Sequence, residues 1–175
     1  IGPLYAIGWD GVLKWQIETG GVITSASIAS DGTIYVGTYN DGLCAINPDG
    51  TRKWVFDEIE SRVPTSPAIG KDGTIYFGAD MFYAVNPDGS LKFKSVNGEG
   101  SSSSSPAIGS NGIVYMGETD RQLRAFDVAT GSQKWFFKSD GAMYASPVIG
   151  SDGSVYMGSR DNMIHALNGT TGTKL

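Results

Sequence analysis

Few side chains in this sequence are of the kinds that usually carry catalysis. The one histidine, His165, and the one cysteine, Cys44, stand at the same position of a repeated pattern, which elsewhere holds Tyr5, Tyr83 and Arg124. A catalytic or metal-binding histidine needs an orienting carboxylate or fellow ligands. A position that accepts such different residues is typical of a partly exposed strand surface. We therefore expect His165 to be structural, and Cys44 to be a packed or half-exposed residue rather than a nucleophile.

Sequence motifs for nucleotide and zinc chemistry are absent, since no Gly-x-Gly-x-x-Gly, Walker loop, Cys-x-x-Cys or His-Glu-x-x-His occurs. Aspartates in turns could in principle bind calcium. Five of them precede a glycine: Asp31, Asp49, Asp72, Asp88 and Asp152. The Asp-x-Asp-x-Asp-Gly spacing of a calcium loop never appears, however. Hairpin turns explain every Asp-Gly pair. The sequence therefore predicts no catalytic residue, no metal ligand and no cofactor-binding residue.

Charge and hydropathy exclude two classes of partner. Lys and Arg number 13 against 18 Asp and Glu, which gives a net charge of −5. Binding to nucleic acid requires a cationic surface, so we expect no nucleic acid partner. The apolar runs are much shorter than the ~18 residues of a membrane-spanning helix, so we expect no membrane span. Because no initiator methionine or signal peptide is present, we expect a processed chain or a fragment.

An internal repeat organises the chain. Four segments are close to Ser-Pro-Ala-Ile-Gly-Ser-Asp-Gly-Thr-Ile-Tyr-x-Gly, and their closing glycines are spaced 41, 39 and 41 residues apart. These glycines are Gly37, Gly78, Gly117 and Gly158. Between them recurs a lysine followed by an aromatic residue, at spacings of 39, 39 and 42 residues. These aromatics are Trp15, Trp54, Phe93 and Trp135.

The repeat unit predicts four short antiparallel strands, which we name A, B, C and D in chain order. Short runs of β-branched and aromatic residues are bounded by turn dipeptides, without helical periodicity. The Asp-Gly or Asn-Gly pairs at 31–32, 72–73, 111–112 and 152–153 predict type I′ turns between strands A and B. Asn-Pro-Asp-Gly at 47–50 and 86–89 predicts a type I turn followed by a left-handed glycine between strands C and D.

Strands B and C carry apolar residues on both faces, so the sheets must stack face to face. Four-stranded units at a period of ~40 residues, stacked about an axis, are the blades of a β-propeller. We expect a single all-β domain of about four blades. The predicted units are a half blade at 1–18, blades at about 19–57, 58–95 and 96–138, and an incomplete blade at 139–175.

The strand count bears on whether a ring closes. The chain starts with strands C and D and ends after a further A, B and C. A self-closed ring would have four blades and a surplus C strand. We favour an open arc, or part of a larger ring, whose two apolar end faces are covered by further chain or by a second copy.

One segment also carries a family resemblance. Ala-Phe-Asp-Val-Ala-Thr-Gly-Ser-Gln-Lys-Trp at 125–135 resembles the Ala-x-Asp-x-x-Thr-Gly-x-x-x-Trp repeat of the pyrroloquinoline-quinone-like (PQQ-like) propellers, and weaker copies start at Ala45, Ala84 and Ala166. The resemblance implies that the strand D aromatics dock on the turn of a neighbouring blade. If Trp54 is fully buried, its replacement by Ala should cost about 3–5 kcal/mol.

The resemblance leaves function open, because the family holds quinoprotein dehydrogenases and catalytically silent scaffolds. A dehydrogenase needs PQQ, calcium, a stacking clamp and a catalytic Asp, and commonly an adjacent cysteine pair, which a single cysteine cannot form. We expect a non-enzymatic recognition or assembly scaffold outside the cytoplasm, with a protein or a second copy as partner and no cofactor. The alternatives are a PQQ- and calcium-dependent dehydrogenase fragment, and a carbohydrate-binding module that uses Tyr39 and Tyr144.

The predicted contact face consists of the B–C and D–A connections, which vary between repeats while the other turns are uniform. The alternative is that these loops are merely solvated. The D–A connections include segments 57–62 and 97–101. The candidate contact residues are Tyr39, Asp41, Asp57, Glu58, Glu60, Arg62, Glu118, Asp120, Arg121 and Arg160.

Overall fold

The structure, a computed structural model, describes residues 2–95 and 104–175, in which every regular element is a β-strand. Blade 1 consists of β1 (Leu4–Ile7) and β2 (Leu13–Ile17). Blade 2 consists of β3 (Ser27–Ile28), β4 (Ile34–Gly37), β5 (Leu43–Ile46) and β6 (Arg52–Phe56). Blade 3 consists of β7 (Ala68–Ile69), β8 (Ile75–Gly78), β9 (Phe82–Val85) and β10 (Leu91–Lys94). Blade 4 consists of β11 (Ala107–Ile108), β12 (Ile113–Gly117), β13 (Gln122–Asp127) and β14 (Gln133–Lys138). Blade 5 consists of β15 (Val148–Ile149), β16 (Ser154–Gly158) and β17 (Ile164–Asn168).

The all-β prediction is confirmed, and the strands of each blade pair antiparallel in chain order. Blade 1 is a C–D pair, blades 2 to 4 are complete, and blade 5 holds strands A, B and C. Beyond β17, the next strand is only begun, since Leu167 pairs with Lys174 in an isolated bridge. Among the described residues, blades 1 and 5 remain separate sheets. This agrees with the open arc.

The A–B turns differ from the prediction. Gly32 N–H donates to Ala29 O at 2.9 Å, and the φ of Gly32 is +83°, but the φ of Asp31 is not positive. These turns are therefore type I turns followed by a left-handed glycine, and the prediction of type I′ turns is wrong. The reason is that the Asp31 carboxylate accepts the N–H and the hydroxyl of Thr33, both at 2.9 Å, which stabilises Asp31 at negative φ.

Apolar clusters lie between the blades rather than within them. Between blades 2 and 3, Tyr35 and Leu43 of blade 2 pack with Phe77 and Tyr83 of blade 3, and all four are at most 1% exposed. Equivalent clusters join blades 1 and 2, 3 and 4, and 4 and 5. In this way blades 2 to 4 bury both of their faces, as their apolar composition requires.

Aromatic side chains of strand D fasten each blade to the next. The indole N–H groups of Trp15, Trp54 and Trp135 donate to carbonyl oxygens in the C–D turn of the following blade, at 2.9, 2.9 and 3.1 Å. Beside each acceptor lies a glycine with positive φ that the ring covers. A β-carbon on Gly89 would lie 2.9 Å from Trp54 Cδ2, and one on Gly131 would lie 2.3 Å from Phe93 Cδ2. Only glycine permits such close docking.

Because aspartate carboxylates accept hydrogen bonds within the turns, we expect the protein to lose stability in acid. Hydrogen bonding to Lys134, and then to the N–H groups of Ala129 and Thr130, lowers the pKa of Asp127 from 3.8 to about 2 against an opposing effect of burial. The folded pKa is below the unfolded value, so this stabilisation is complete above about pH 4 and is lost as the pH falls through about 2. We expect the melting temperature of Asp127→Asn to depend less on pH than that of the wild type between these values. Parallel curves for the two proteins would contradict this role of Asp127.

Candidate functional site

The described B–C and D–A connections lie on one side of the arc, the loop face, where neighbouring connections hydrogen bond to each other. At blade 2, Tyr39 N–H donates to Gly21 O at 2.9 Å and Val63 N–H donates to Thr38 O at 3.1 Å. At blade 5, Arg160 N–H donates to Ala142 O at 3.0 Å. Backbone bonds thus fix loops that differ in sequence on a common scaffold, which is the usual arrangement of a recognition surface.

At blade 2 the loop face contains an acidic pocket beside an aromatic ring. The Arg62 guanidinium lies over the Tyr39 ring, 5.5 Å from its centroid, and Tyr39 is 45% exposed. This cation–π contact orders two exposed side chains. The pocket has a volume of about 280 Å³. Its lining is Tyr39, Asn40, Gly42, Asp57, Ile59, Glu60, Ser61 and Arg62.

The charge around this pocket is mostly negative. Asp57, Glu58 and Glu60 are all exposed within one short connection, and Arg62 is its one cation. The structure therefore brings Tyr39, Asp57, Glu60 and Arg62 together around a single cavity, with Glu58 on the same loop. Carboxylates of this kind attract basic groups and repel acidic ones.

A second aromatic and arginine pair lies at blade 5. The Arg160 guanidinium is 4.4 Å from the centroid of the Tyr144 ring, beside a cavity of about 450 Å³. Sequence reasoning considered both residues but did not pair them. A signal was present, since each aromatic and its arginine lie on consecutive connections of the repeat, as do Tyr39 and Arg62.

Glu118 and Asp120 are placed differently from the other candidates. Arg124 forms ion pairs with Glu118 and, at 2.5 Å, with Asp120. The Glu118 side chain is 2% exposed and that of Arg124 is 7% exposed. Glu118 therefore cannot serve as a surface contact, and this part of the predicted face is corrected. A carboxylate at this depth needs its cation, because an unpaired buried charge is strongly unfavourable.

The position shared by Cys44, Tyr83, Arg124 and His165 is buried in blades 2 to 5, with exposures of 0, 1, 5 and 6%. The expectation of partly exposed strand surface is therefore wrong there, because the preceding blade covers this side of strand C. It holds only for Tyr5 of blade 1, which is 53% exposed. Sequence spacing within one repeat does not show which face the neighbouring repeat covers.

His165 does have a carboxylate partner, but the contact is a recurring structural one. Its Nε2 lies 2.8 Å from Asp161 Oδ2, and its ring packs against Phe137 of blade 4 at 4.9 Å. In blade 3 the equivalent Tyr83 hydroxyl donates to Asp80 at 3.1 Å, and in blade 4 Arg124 binds Asp120. The same strand position thus bonds an aspartate of its own B–C loop in three blades. This repetition supports a structural role for His165.

Burial of Cys44 predicts an unreactive thiol. The side chain is fully buried, and this burial raises the pKa of the thiol from 9.0 to about 11. Because only the thiolate reacts, we expect an aromatic disulfide reagent to modify native Cys44 at pH 8 at least about 1,000-fold more slowly than the urea-unfolded chain. Absorbance of the released thiolate measures both rates. Equal rates would show that Cys44 is accessible.

The remaining candidates are dispersed. The Asp41 carboxylate is one-third exposed and lies 3.7 Å from the partly exposed guanidinium of Arg52. Arg121 is exposed, and its carbonyl accepts the Ser139 N–H at 3.0 Å. The predicted connection 97–101 lies outside the described residues.

The donor set does not fit a calcium and quinone site. Within residues 2–95 and 104–175, no three His, Cys, Asp or Glu side chains converge as they would around a metal ion. Both carboxylates of the deepest pair, Glu118 and Asp120, already form ion pairs with Arg124. A calcium ion there would have to displace a buried guanidinium. We therefore derive no reaction step through calcium or PQQ.

Comparisons with known proteins agree with the geometry. The model of a PQQ-like repeat family, described as outer membrane protein assembly factor BamB, matches residues 2–94 and 79–175. The uncharacterized protein YxaL of Bacillus subtilis (strain 168) is 39% identical over 69 residues, which cover 38% of this chain and 17% of YxaL. The crystal structure of BamB from Moraxella catarrhalis matches with a TM-score of 0.75 and 19% identity, over 94% of this chain and 52% of that one.

The matches cover only part of the length of each relative. The chain spans about half the length of the solved BamB structure and a smaller part of YxaL. At 19% identity the BamB likeness shows the fold alone. The part of the chain that the structure describes contains no helix with the length and apolar character to cross a membrane.

Proposed function

Because the chain belongs to the PQQ-like repeat family described as outer membrane protein assembly factor BamB, we propose that it is a non-enzymatic scaffold that binds a protein segment on its loop face. The family description names an assembly factor of the outer membrane, and this supports a site of action outside the cytoplasm. The hairpin turns on the opposite face are uniform between repeats, which indicates a role in folding. The loops on this face vary between repeats, which indicates a role in recognition.

The observation that carries the proposal is the acidic pocket at blade 2. An exposed Tyr39 ring, stacked by Arg62, stands next to the carboxylates of Asp57 and Glu60. Rigid, amphipathic aromatic side chains at such a site commonly supply much of the binding energy, and neighbouring charges select the partner. The partner is accordingly an extended peptide segment with basic side chains near an apolar one.

A display library of linear peptides, screened against the immobilised chain, tests this proposal. We expect the enriched peptides to contain Lys or Arg next to an apolar residue. Tyr39→Ala and Glu60→Lys should each weaken the best peptide by about tenfold or more. The matched control is Asp140→Lys, the same change of charge at an exposed position elsewhere on the loop face, which should leave affinity unchanged. No enrichment, or enrichment of acidic peptides, would refute the proposal.

A carbohydrate ligand is the second candidate, because Tyr39 and Tyr144 are 45 and 46% exposed. Sugars stack on free aromatic faces, yet an arginine already covers one face of each ring. Protein binding is therefore favoured. A glycan array with Tyr39→Ala and Tyr144→Ala as controls distinguishes carbohydrate binding from protein binding. Sugar binding that either substitution removes would favour a carbohydrate ligand.

A further inference from the structure

Strand D of blade 4, β14, is the outer edge of its sheet and presents an exposed aromatic side chain. Among the described residues, β14 pairs with β13 on one side and with no strand on the other. Its side chains alternate between half-buried and exposed. On the half-buried face, Trp135 and Phe137 pack against the cluster between blades 4 and 5. Lys134, Phe136 and Lys138 share the exposed face, and Phe136 is 54% exposed.

The exposed ring is particular to blade 4. In the strand register, the residues equivalent to Phe136 are Gln16 of β2, Val55 of β6 and Lys94 of β10. Val55 is half-buried and packs against the cluster between blades 1 and 2. Polar or charged side chains, such as Gln16 and Lys94, protect an edge strand from unwanted pairing. The repeat therefore does not require an aromatic at this position, and its exposure in blade 4 indicates a contact surface.

The free backbone groups of this edge belong to the same residues. Ser139 N–H donates to Arg121 O at 3.0 Å, so this pair is hydrogen bonded. Hydrogen-bonded and non-hydrogen-bonded pairs alternate between antiparallel strands. Phe137, two residues before Ser139 in the same register, therefore also bonds to β13, and Phe136 and Lys138 take the alternate positions. The N–H and C=O groups of Phe136 and Lys138 thus point away from β13, toward the free edge.

Charge selects the kind of segment that fits this edge. Lys138 is exposed, and Lys134 keeps a side chain that is 41% exposed although it forms an ion pair with Asp127 at 3.0 Å. A second copy of β14, added antiparallel about Phe136, would set Lys134 opposite Lys138 at both ends, and like charges directly opposite each other are destabilising. Acidic side chains at those two places are favourable instead. Asp140, two residues beyond Lys138, confines the preference for acidic side chains to the length of the strand.

We propose that β14 receives an extended segment of a partner protein as an additional antiparallel strand. The segment has an apolar residue opposite Phe136 and acidic residues opposite Lys134 and Lys138, which gives the pattern acidic-x-apolar-x-acidic. The backbone of Phe136 and Lys138 supplies the hydrogen bonds, and the exposed side chains select the sequence. This surface is separate from the acidic pocket at blade 2, and the ligand it selects has the opposite charge.

Titration of the isotope-labelled chain with a short acidic peptide tests this arrangement by nuclear magnetic resonance. The peptide is Ser-Glu-Thr-Val-Thr-Glu-Ser, blocked at both ends. We expect shift changes centred on β14 and a dissociation constant below about 1 mM at low salt. At saturation, the amide N–H groups of Phe136 and Lys138 should exchange with solvent at least about tenfold more slowly, because they become bonded to the peptide. The same peptide with Lys in place of each Glu should bind at least about tenfold more weakly.

Variants of the chain locate the contact. Lys138→Glu should weaken binding of the acidic peptide about tenfold, and Phe136→Thr, which keeps a strand-forming residue, about threefold. The matched control is Lys14→Glu, the same charge reversal at an exposed position of β2, which should leave binding unchanged. Tyr39→Ala should also leave it unchanged, so that this proposal and the proposed function can fail separately. We expect every variant to keep the circular dichroism spectrum of the wild type.

Several results would overturn the proposal. One is an absence of binding, or equal binding of the acidic and the basic peptide. Another is binding that Lys138→Glu does not weaken, or that Lys14→Glu weakens equally. Shift changes without slower exchange at Phe136 and Lys138 would show that no strand is added to this edge.

Discussion

Replacing Arg124 with Ala should lower the free energy of unfolding by about 3–5 kcal/mol, because it leaves the Glu118 carboxylate buried without its cation. The Glu118 side chain is only 2% exposed, so water cannot replace the guanidinium without opening the interface between blades. Asp120 loses the same partner, but it is 17% exposed and can be hydrated in part. Urea denaturation of the wild type and the variant measures the difference.

The chain itself offers a matched control for this prediction. Blade 3 holds Tyr83 where blade 4 holds Arg124, and it holds Ala79 where blade 4 holds Glu118. The double variant Arg124→Tyr/Glu118→Ala copies this pair, and its tyrosine hydroxyl can reach Asp120 as that of Tyr83 reaches Asp80. We expect it to recover most of the stability that Arg124→Ala loses. A double variant as unstable as the single one would show that Arg124 acts by packing rather than by pairing with Glu118.

Replacing Trp54 with Ala should cost about 2–3 kcal/mol, less than the ~3–5 kcal/mol expected for a fully buried tryptophan. The indole is only partly buried. It nevertheless packs against the ring of Tyr35 at 5.6 Å, covers Gly89 and donates to Pro87 O at 2.9 Å. The contacts with Gly89 and Pro87 join blade 2 to blade 3, so thermal and urea unfolding should both detect their loss.

Trp9→Ala is the matched control for Trp54→Ala. Trp9 is fully exposed and occupies a turn rather than a strand D position. Its replacement should change the stability of the monomeric chain by less than about 0.5 kcal/mol. A loss below about 1 kcal/mol for Trp54→Ala, or a loss equal to that of Trp9→Ala, would mean that docking between blades does not depend on this indole.

The repeat made the architecture predictable, because each period contains every local signal needed for its strands. Turn residues, the alternation of apolar side chains and the lysine–aromatic pairs recur in register. The strand bounds and the chain order within each sheet follow from them. The turn type could not be predicted from the repeat, because an Asp residue tolerates positive φ and its sequence therefore allows either turn. In the structure, hydrogen bonds from Thr33 to the Asp31 side chain stabilise the type I geometry.

Burial of the site residues was harder to predict, since it depends on contacts about forty residues apart. Arg124 and Glu118 fall in one hairpin, but their depth is set by the neighbouring blade. One signal was available: blade 4 has a charge both at the position of Arg124 and at that of Glu118, where blade 3 has Tyr83 and Ala79. Compensating charges within one repeat are typical of a buried pair. Tyr39 and Arg62 were recognised singly because both are exposed and lie on connections.

Hydrogen exchange of the four indole N–H groups tests the central claim, that the blades dock through the strand D aromatics, most directly. The chain contains four tryptophans, so nuclear magnetic resonance resolves a small set of indole signals. We predict that Trp15, Trp54 and Trp135 exchange slowly, because each N–H is bonded to the next blade. Trp9 should exchange at the rate of a free indole. Equally fast exchange of all four indoles would contradict the claim.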